Sequence, residues 1–120
     1  MIVKKSILNT GSGGFIGTHL VRKLISLKHE IICLDIFFSN SFLSEFNSKV
    51  IICKGNLSDK NILLKINKKY KFSHIFHLAG SKSRSNNLNE FKQSFDINYF
   101  GALNLLESQI DNKFIKKIIL

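Results

Sequence analysis

The sequence contains no proline and only two cysteines, and its eight acidic residues face eighteen lysines and arginines. Each shortage excludes something. No apolar run approaches the ~18 residues that a transmembrane helix needs, so no membrane span is expected. The first residues lead straight toward a strand, without an apolar segment ending in a small-residue cleavage site, so no secretory signal is expected. Cys33 and Cys53 have no zinc-like spacing. Both fall in expected strands and read as buried, reduced, unreactive thiols of a cytoplasmic protein. There is no Cys/His metal set, no pair of carboxylates placed for acid–base work, no G-x-S-x-G nucleophile elbow and no G-x-x-x-x-G-K phosphate loop.

The charge imbalance gives a net +10. A nucleic-acid binder would gather that charge on one face. Here the lysines are scattered along the chain. They outnumber the arginines, while isoleucine, asparagine and phenylalanine are abundant. This is the pattern of a biased coding composition rather than of a selected basic surface, so a nucleic-acid partner is not expected. A mild attraction for phosphate-bearing ligands follows from the charge in either case.

What is present fits one modest globular domain covering residues 1–120, with 44% hydrophobic residues. Apolar runs predict strands over residues 6–9, 30–35, 50–53, 74–78 and 117–120. Helical periodicity predicts helices over 15–27, 59–69 and 90–109. In the first helix Ile16, Leu20, Leu24 and Leu27 define the apolar face. In the second Ser58 is the expected N-cap. In the third Phe91, Phe95, Ala102, Leu105, Leu106 and Gln109 form the stripe. Residues 36–48 have no clear period, with room for one short helix. Strands alternating with helices predict an α/β, doubly wound parallel sheet of Rossmann type in the order 3-2-1-4-5.

The organising stretch is Thr10-Gly11-Ser12-Gly13-Gly14-Phe15-Ile16-Gly17, between the first strand and the first helix. Gly11 allows a sharp turn. Gly14 lets a pyrophosphate approach the backbone. Gly17 lets the helix pack close to the strand. The helix N-terminus offers unpaired amides and the positive end of its dipole to an anion. Asp35 ends the second strand, where a dinucleotide fold faces its adenosine ribose. A carboxylate there accepts from the ribose hydroxyls and repels a 2′-phosphate, which predicts NAD over NADP. His77 reads as a hydrogen-bonded core histidine and His19 as a surface or packing residue.

The glycine loop resembles the T-G-x-x-G-x-x-G of the extended short-chain dehydrogenase/reductases, the NAD-dependent epimerase/dehydratase family. Further pieces are similar in the same order. Gly55-Asn56-Leu57-Ser58-Asp59 resembles the family's G-D-L-x-D, and His77-Leu78-Ala79-Gly80 its H-L-A-A/G. Residues 98–107 resemble its N-x-x-G-T-x-N-L-L-E helix. Ala79-Gly80-Ser81-Lys82 is similar to the A-G-x-K of UDP-glucose 4-epimerases, although four residues do not name a substrate. The resemblance implies that Gly11, Gly14 and Gly17, with the backbone of Phe15 and Ile16, hold the pyrophosphate. Asp35 takes the adenosine ribose. Asn56 and Leu57 border the adenine, with an uncharged amide where the family usually has aspartate. Leu78, Ala79 and Gly80 pass behind the nicotinamide. Lys82 either reaches the nicotinamide ribose or a phosphate, or is a solvated loop lysine. Asn98 shapes the active-site wall.

The family's Tyr-x-x-x-Lys pair and its Ser/Thr do not occur here. Four residues after Tyr70 stands His74, and four after Tyr99 stands Leu103. No catalytic residue is therefore assigned. The resemblance implies the N-terminal part of a sugar-nucleotide epimerase/dehydratase that meets its nucleotide-sugar substrate only together with a further half. A non-catalytic dinucleotide-binding module, or a gene remnant, is the alternative. A fifth strand interrupted in an apolar run implies an exposed apolar edge, open to self-association.

Overall fold

The computed structural model describes residues 5–81 and 86–120. Five parallel strands, β1 (Lys5–Thr10), β2 (Ile31–Asp35), β3 (Ile51–Lys54), β4 (Lys71–His77) and β5 (Lys117–Ile119), form one sheet in the order β3-β2-β1-β4-β5. This is the order expected from the alternation of elements.

The strand sequences explain the two layers around the sheet. In β1 and β2 consecutive residues are apolar and buried, so both faces need a cover. Ile7, Ile31 and Cys33 face one way, onto Val21 and Leu24 of helix α1 (Phe15–Ser26) and onto Phe42 and Phe46 of helix α2 (Asn40–Phe46). Leu8, Ile32 and Leu34 face the other way, onto Leu63 and Ile66 of helix α3 (Lys60–Lys69) and Leu105 of helix α5 (Gly101–Ser108). The unperiodic segment 36–48 yields α2, capped by Ser39, whose hydroxyl accepts from the Phe42 amide at 3.1 Å. Among the described residues no helix is long and apolar enough to cross a membrane.

Four local expectations are corrected. The buried face of α1 is Gly17, Val21 and Leu24, while Ile16 and Leu27 are exposed. Gly17 must lie at the contact, and residues four and seven further on follow it inward. The cap of α3 is Asp59 rather than Ser58, its carboxylate accepting from the Asn61 amide at 3.0 Å. β4 begins at Lys71, because its first residues alternate in exposure beside β1. The third expected helix is three pieces, α4 (Leu88–Phe95), a π-helical turn (Asp96–Phe100) and α5. Its stripe divides accordingly. Leu105 and Gln109 are buried, whereas Phe91, Phe95 and Leu106 are exposed.

The two cysteines are free and lie on opposite faces of the sheet. Burial pushes the Cys33 thiol up to about 12 and raises that of Cys53 as well. Neither holds a useful thiolate population at neutral pH.

Candidate functional site

The carboxyl ends of the strands surround one cavity of about 320 Å³, within the range of small-molecule sites. The loop from β1 to α1 forms its floor. Gly11 has φ +71°, and a Cβ there would lie 2.6 Å from the backbone nitrogen of Ala79, so the turn and its close approach to the end of β4 both require glycine. Gly17 sits against the Gly11 carbonyl with no room for a Cβ. Gly14 differs: its backbone is extended, and a Cβ would meet only the Gly11 carbonyl, at an ordinary 3.4 Å. It is exposed on the cavity, so its missing side chain leaves cavity space open. The first intrahelical hydrogen bond of α1 is Thr18 N–H to the Gly14 carbonyl, 2.9 Å. The amides of Phe15, Ile16 and Gly17 precede it, as the first turn of any helix dictates. The side chains of Phe15 and Ile16 point to solvent.

Asp35 stands at the opposite lip. Its Oδ2 accepts from the Gly13 amide at 2.9 Å and its Oδ1 from the Ile36 amide at 2.7 Å. Its carbonyl accepts from the Gly55 amide at 3.0 Å, tying the end of β2 to the end of β3. A carboxylate has about four lone-pair directions, so two engaged oxygens still leave acceptor capacity for a polyol. Asn56 and Leu57 follow on the same wall. The Asn56 side-chain oxygen accepts from the Ser58 amide at 3.0 Å, which uses part of its capacity for the turn. The Leu57 carbonyl accepts from the buried Asn104 amide of α5 at 2.8 Å, which fixes this loop from behind.

The far wall is Leu78, Ala79 and Gly80. Thr10 anchors it: its carbonyl accepts from the Leu78 amide at 3.0 Å and its hydroxyl from the Ala79 amide at 3.2 Å. The hydroxyl hydrogen is then available to His77 Nδ1, 2.7 Å away. His77 is half-buried, and burial holds its pKa below the usual imidazole value. It is the hydrogen-bonded histidine that the sequence suggests. His19 lies on the surface, with its ring 4.9 Å from that of Phe15.

Gly11, Gly14, Asp35, Asn56, Leu57, Leu78, Ala79 and Gly80 thus line one cavity, with Gly17 behind it. Asn98 does not line it. Its side chain accepts from the Ser81 amide at 2.8 Å and donates to the Ser81 carbonyl at 2.7 Å, pinning the strand-four loop to the π-helical turn. Lys82 lies outside the described residues.

Sequence reasoning missed Leu34, Ile36, Gly55, Ser81 and Ile97, which complete the lining. It also gave no role to Gly13, where a Cβ would come within 2.6 Å of the Phe37 carbonyl oxygen. The signal for Gly13 was present, as an extra glycine inside a motif that needs only three. Ile97 carried no signal, because it reaches the cavity through a π-turn that periodicity does not show.

The arrangement combines unpaired amides at a helix N-terminus, open space over Gly14, a carboxylate at one lip and apolar walls. That set fits an elongated ligand with a central anion, a polyol and flat rings. The class is a doubly wound, Rossmann-type nucleotide-binding fold. Residues 7–119 match the model of the NAD dependent epimerase/dehydratase family, and the chain belongs to that family. It is 32% identical over 114 residues to a UDP-glucose 4-epimerase of Pisum sativum, covering 86% of this chain and 32% of that protein. It is 27% identical over 119 residues to a UDP-N-acetyl-alpha-D-glucosaminuronate decarboxylase of Bacillus cytotoxicus, covering 98% of this chain and 36% of that one. Among solved structures it resembles a UDP-glucose 4-epimerase of Thermotoga maritima with UDP-glucose, with TM-score 0.82, 29% identity, and coverage of 94% of this chain and 36% of that chain. It also resembles the Thermus thermophilus UDP-glucose 4-epimerase in complex with NAD, with TM-score 0.81, 26% identity and the same coverages. The chain spans about a third of the length of the relatives it matches.

Proposed function

We propose that this chain is the NAD-binding part of a sugar-nucleotide epimerase/dehydratase, and that its cavity takes NAD in preference to NADP. The observation that carries the reading is the convergence of the glycine loop, Asp35 and the end of β4 on one cavity. In this reading the amides of Phe15 and Ile16 and the open face of Gly14 hold the pyrophosphate. Asp35, braced by the Gly13 and Ile36 amides, accepts from the adenosine ribose. Ile36, Asn56 and Leu57 border the adenine, and Leu78, Ala79 and Gly80 back the nicotinamide. Lys82 and Asn98 belong to that nicotinamide end, Asn98 by holding the Ser81 loop in place. NAD, when bound, supplies a hydride acceptor and donor for a sugar carbon.

The residues that line the cavity bind and orient; among the described residues none is assigned to move the substrate proton. Neither Tyr70 nor Tyr99 has a lysine four residues on, so turnover of a nucleotide sugar belongs to the complex of this part with a further half. The relatives' names include both epimerases and a decarboxylase, in keeping with a cofactor part that does not choose the reaction. Free thiols on opposite sheet faces suit a reducing compartment, and we place the protein in the cytoplasm.

Calorimetric titration tests the reading. NAD binds more tightly than NADP to the wild type. Asp35→Ala weakens NAD by about 10-fold, as loss of a charge-assisted hydrogen-bond pair implies, and narrows the preference. Equal affinities of the wild type for the two cofactors, or a preference untouched by Asp35→Ala, refutes the assignment.

A further inference from the structure

One buried polar residue breaks the pattern of the sheet interior. On the α1 face of β1 and β2 the strand residues are Ile7, Asn9, Ile31 and Cys33, and Asn9 stands beside Cys33 in the register, with no exposed surface. Its side-chain nitrogen donates to the Gly17 carbonyl at 3.3 Å. Its side-chain oxygen, Oδ1, has no hydrogen-bond partner, the one such buried side-chain atom among the described residues. A valine there would pack with its neighbours and leave nothing unpaired, whereas a half-satisfied amide lowers stability. Sequences depart from the packing rule in this way where a site needs the group.

We propose that Asn9 is a positioning residue for the pyrophosphate of a dinucleotide, an inference that rests on the NAD reading of the cavity. Asn9 does not line the cavity. It acts on the loop and on the helix, through its backbone and its side chain respectively. The side chain holds the Gly17 carbonyl, in the first turn of α1. The main-chain carbonyl accepts from the Ser12 hydroxyl, and Ser12 is itself fully buried. The Thr18 hydroxyl spans the same two elements, 2.7 Å from the Gly14 carbonyl and 3.3 Å from the Ser12 carbonyl. Strand, loop and first helical turn are therefore fixed to one another from the side away from the cavity. Asn9 sets the height and roll of that turn, and so the direction in which the amides of Phe15, Ile16 and Gly17 face an anion.

A packing role alone predicts something different. Gly17 already lies against the Gly11 carbonyl with no room for a Cβ, so van der Waals contact fixes how close α1 comes to the loop. Contact does not fix the rotation of the helix about its axis, because a bare glycine surface has no directional preference. A hydrogen bond has one. The amide supplies orientation, and its removal leaves the helix close but loosely turned.

Asn9→Val separates the two roles in three measurements on the full chain. In urea unfolding its midpoint equals or exceeds that of the wild type. In hydrogen exchange without cofactor, read by NMR, the hydrogen-bonded amides of Gly13, Gly14 and Thr18 exchange at least about 10-fold faster than in the wild type, while β2 is unchanged. In calorimetric titration NAD and NADP both weaken by about 10-fold and the ratio between them is kept, whereas Asp35→Ala alters the ratio. Native exchange at those three amides in Asn9→Val overturns the proposal. So does native affinity of Asn9→Val for NAD while Asp35→Ala weakens it. A loss of stability in Asn9→Val that accompanies the loss of affinity shows a packing residue and also overturns it. A wild type that binds neither cofactor overturns the NAD reading and this inference with it, so the two failures are told apart.

Discussion

Two adjacent glycines of the loop, Gly13 and Gly14, do different work, and one alanine at each separates folding from binding. At Gly13 an added Cβ lies 2.6 Å from the Phe37 carbonyl oxygen and 3.2 Å from Asp35 Oδ2. Neither the strand end nor the loop after it yields without moving backbone. Relief requires a shift of about half an ångström or more, an overpacking strain worth ~1–3 kcal/mol. The same shift stretches the 2.9 Å bond from the Gly13 amide to the carboxylate, a charge-assisted bond worth ~1.5–3 kcal/mol. Partial loss of the second adds to the first, so Gly13→Ala lowers stability by roughly 2–4 kcal/mol. That is a large part of the ~5–15 kcal/mol of an ordinary domain and a fall of roughly 10 °C in Tm. At Gly14 the backbone is already extended and the Cβ meets nothing closer than 3.4 Å. Gly14→Ala therefore leaves stability unchanged, or raises it by up to ~1 kcal/mol through the unfolded chain. It places a methyl in the cavity and weakens NAD at least about 10-fold. Urea unfolding followed by circular dichroism, with NAD titration of each variant, reads both effects. A Gly13→Ala variant as stable as the wild type refutes the packing argument. A Gly14→Ala variant that binds NAD normally refutes the placement of the pyrophosphate.

Two more predictions concern the supports of the cavity. Burial lowers the pKa of His77 in the folded chain, so below the ordinary imidazole value of about 6.5 the unfolded chain binds more protons than the folded one. The contribution of His77 to stability is thus complete above that pH and is lost as pH falls through it toward the folded pKa; denaturant unfolding at pH 8, 6.5 and 5 shows a steeper decline for the wild type than for His77→Gln, and parallel declines count against the burial argument. Asn104→Ala leaves the buried Leu57 carbonyl without its 2.8 Å donor, which costs about 1–3 kcal/mol and weakens NAD several-fold by loosening the adenine side; a variant with native stability and native affinity shows that the loop does not depend on α5.

What could be read from the sequence followed the physics of local signals. The strand order was legible because β1 and β2 are apolar on both faces, which demands a doubly covered parallel sheet. Asp35 was legible because it ends the second strand beside the glycine loop, whereas Asn56 and residues 78–80 were assigned from the family resemblance, and the parallel topology brings all of them to one cavity. The misread parts have a common cause. The faces of α1 and of the α4–α5 run were assigned from hydrophobicity, as if every apolar residue on a helix faced inward. In α1 a glycine, Gly17, sets the contact, because closeness of backbones there outweighs the apolar area of Ile16. In the α4–α5 run Asn104 and Gln109 are buried while Leu88, Phe91, Phe95, Tyr99, Leu103 and Leu106 are exposed. The buried amides are occupied: Asn104 donates to the Leu57 carbonyl, and Gln109 donates to the Asn67 side-chain oxygen at 3.2 Å and accepts from Asn112 at 2.8 Å. A polar residue goes inside when a specific partner waits for it, and no periodicity in one helix reveals a partner on another. The apolar residues they displace face outward. A helix that buries its amides and exposes its phenylalanines cannot be read from hydrophobicity alone, because its buried face is chosen by partners on other elements.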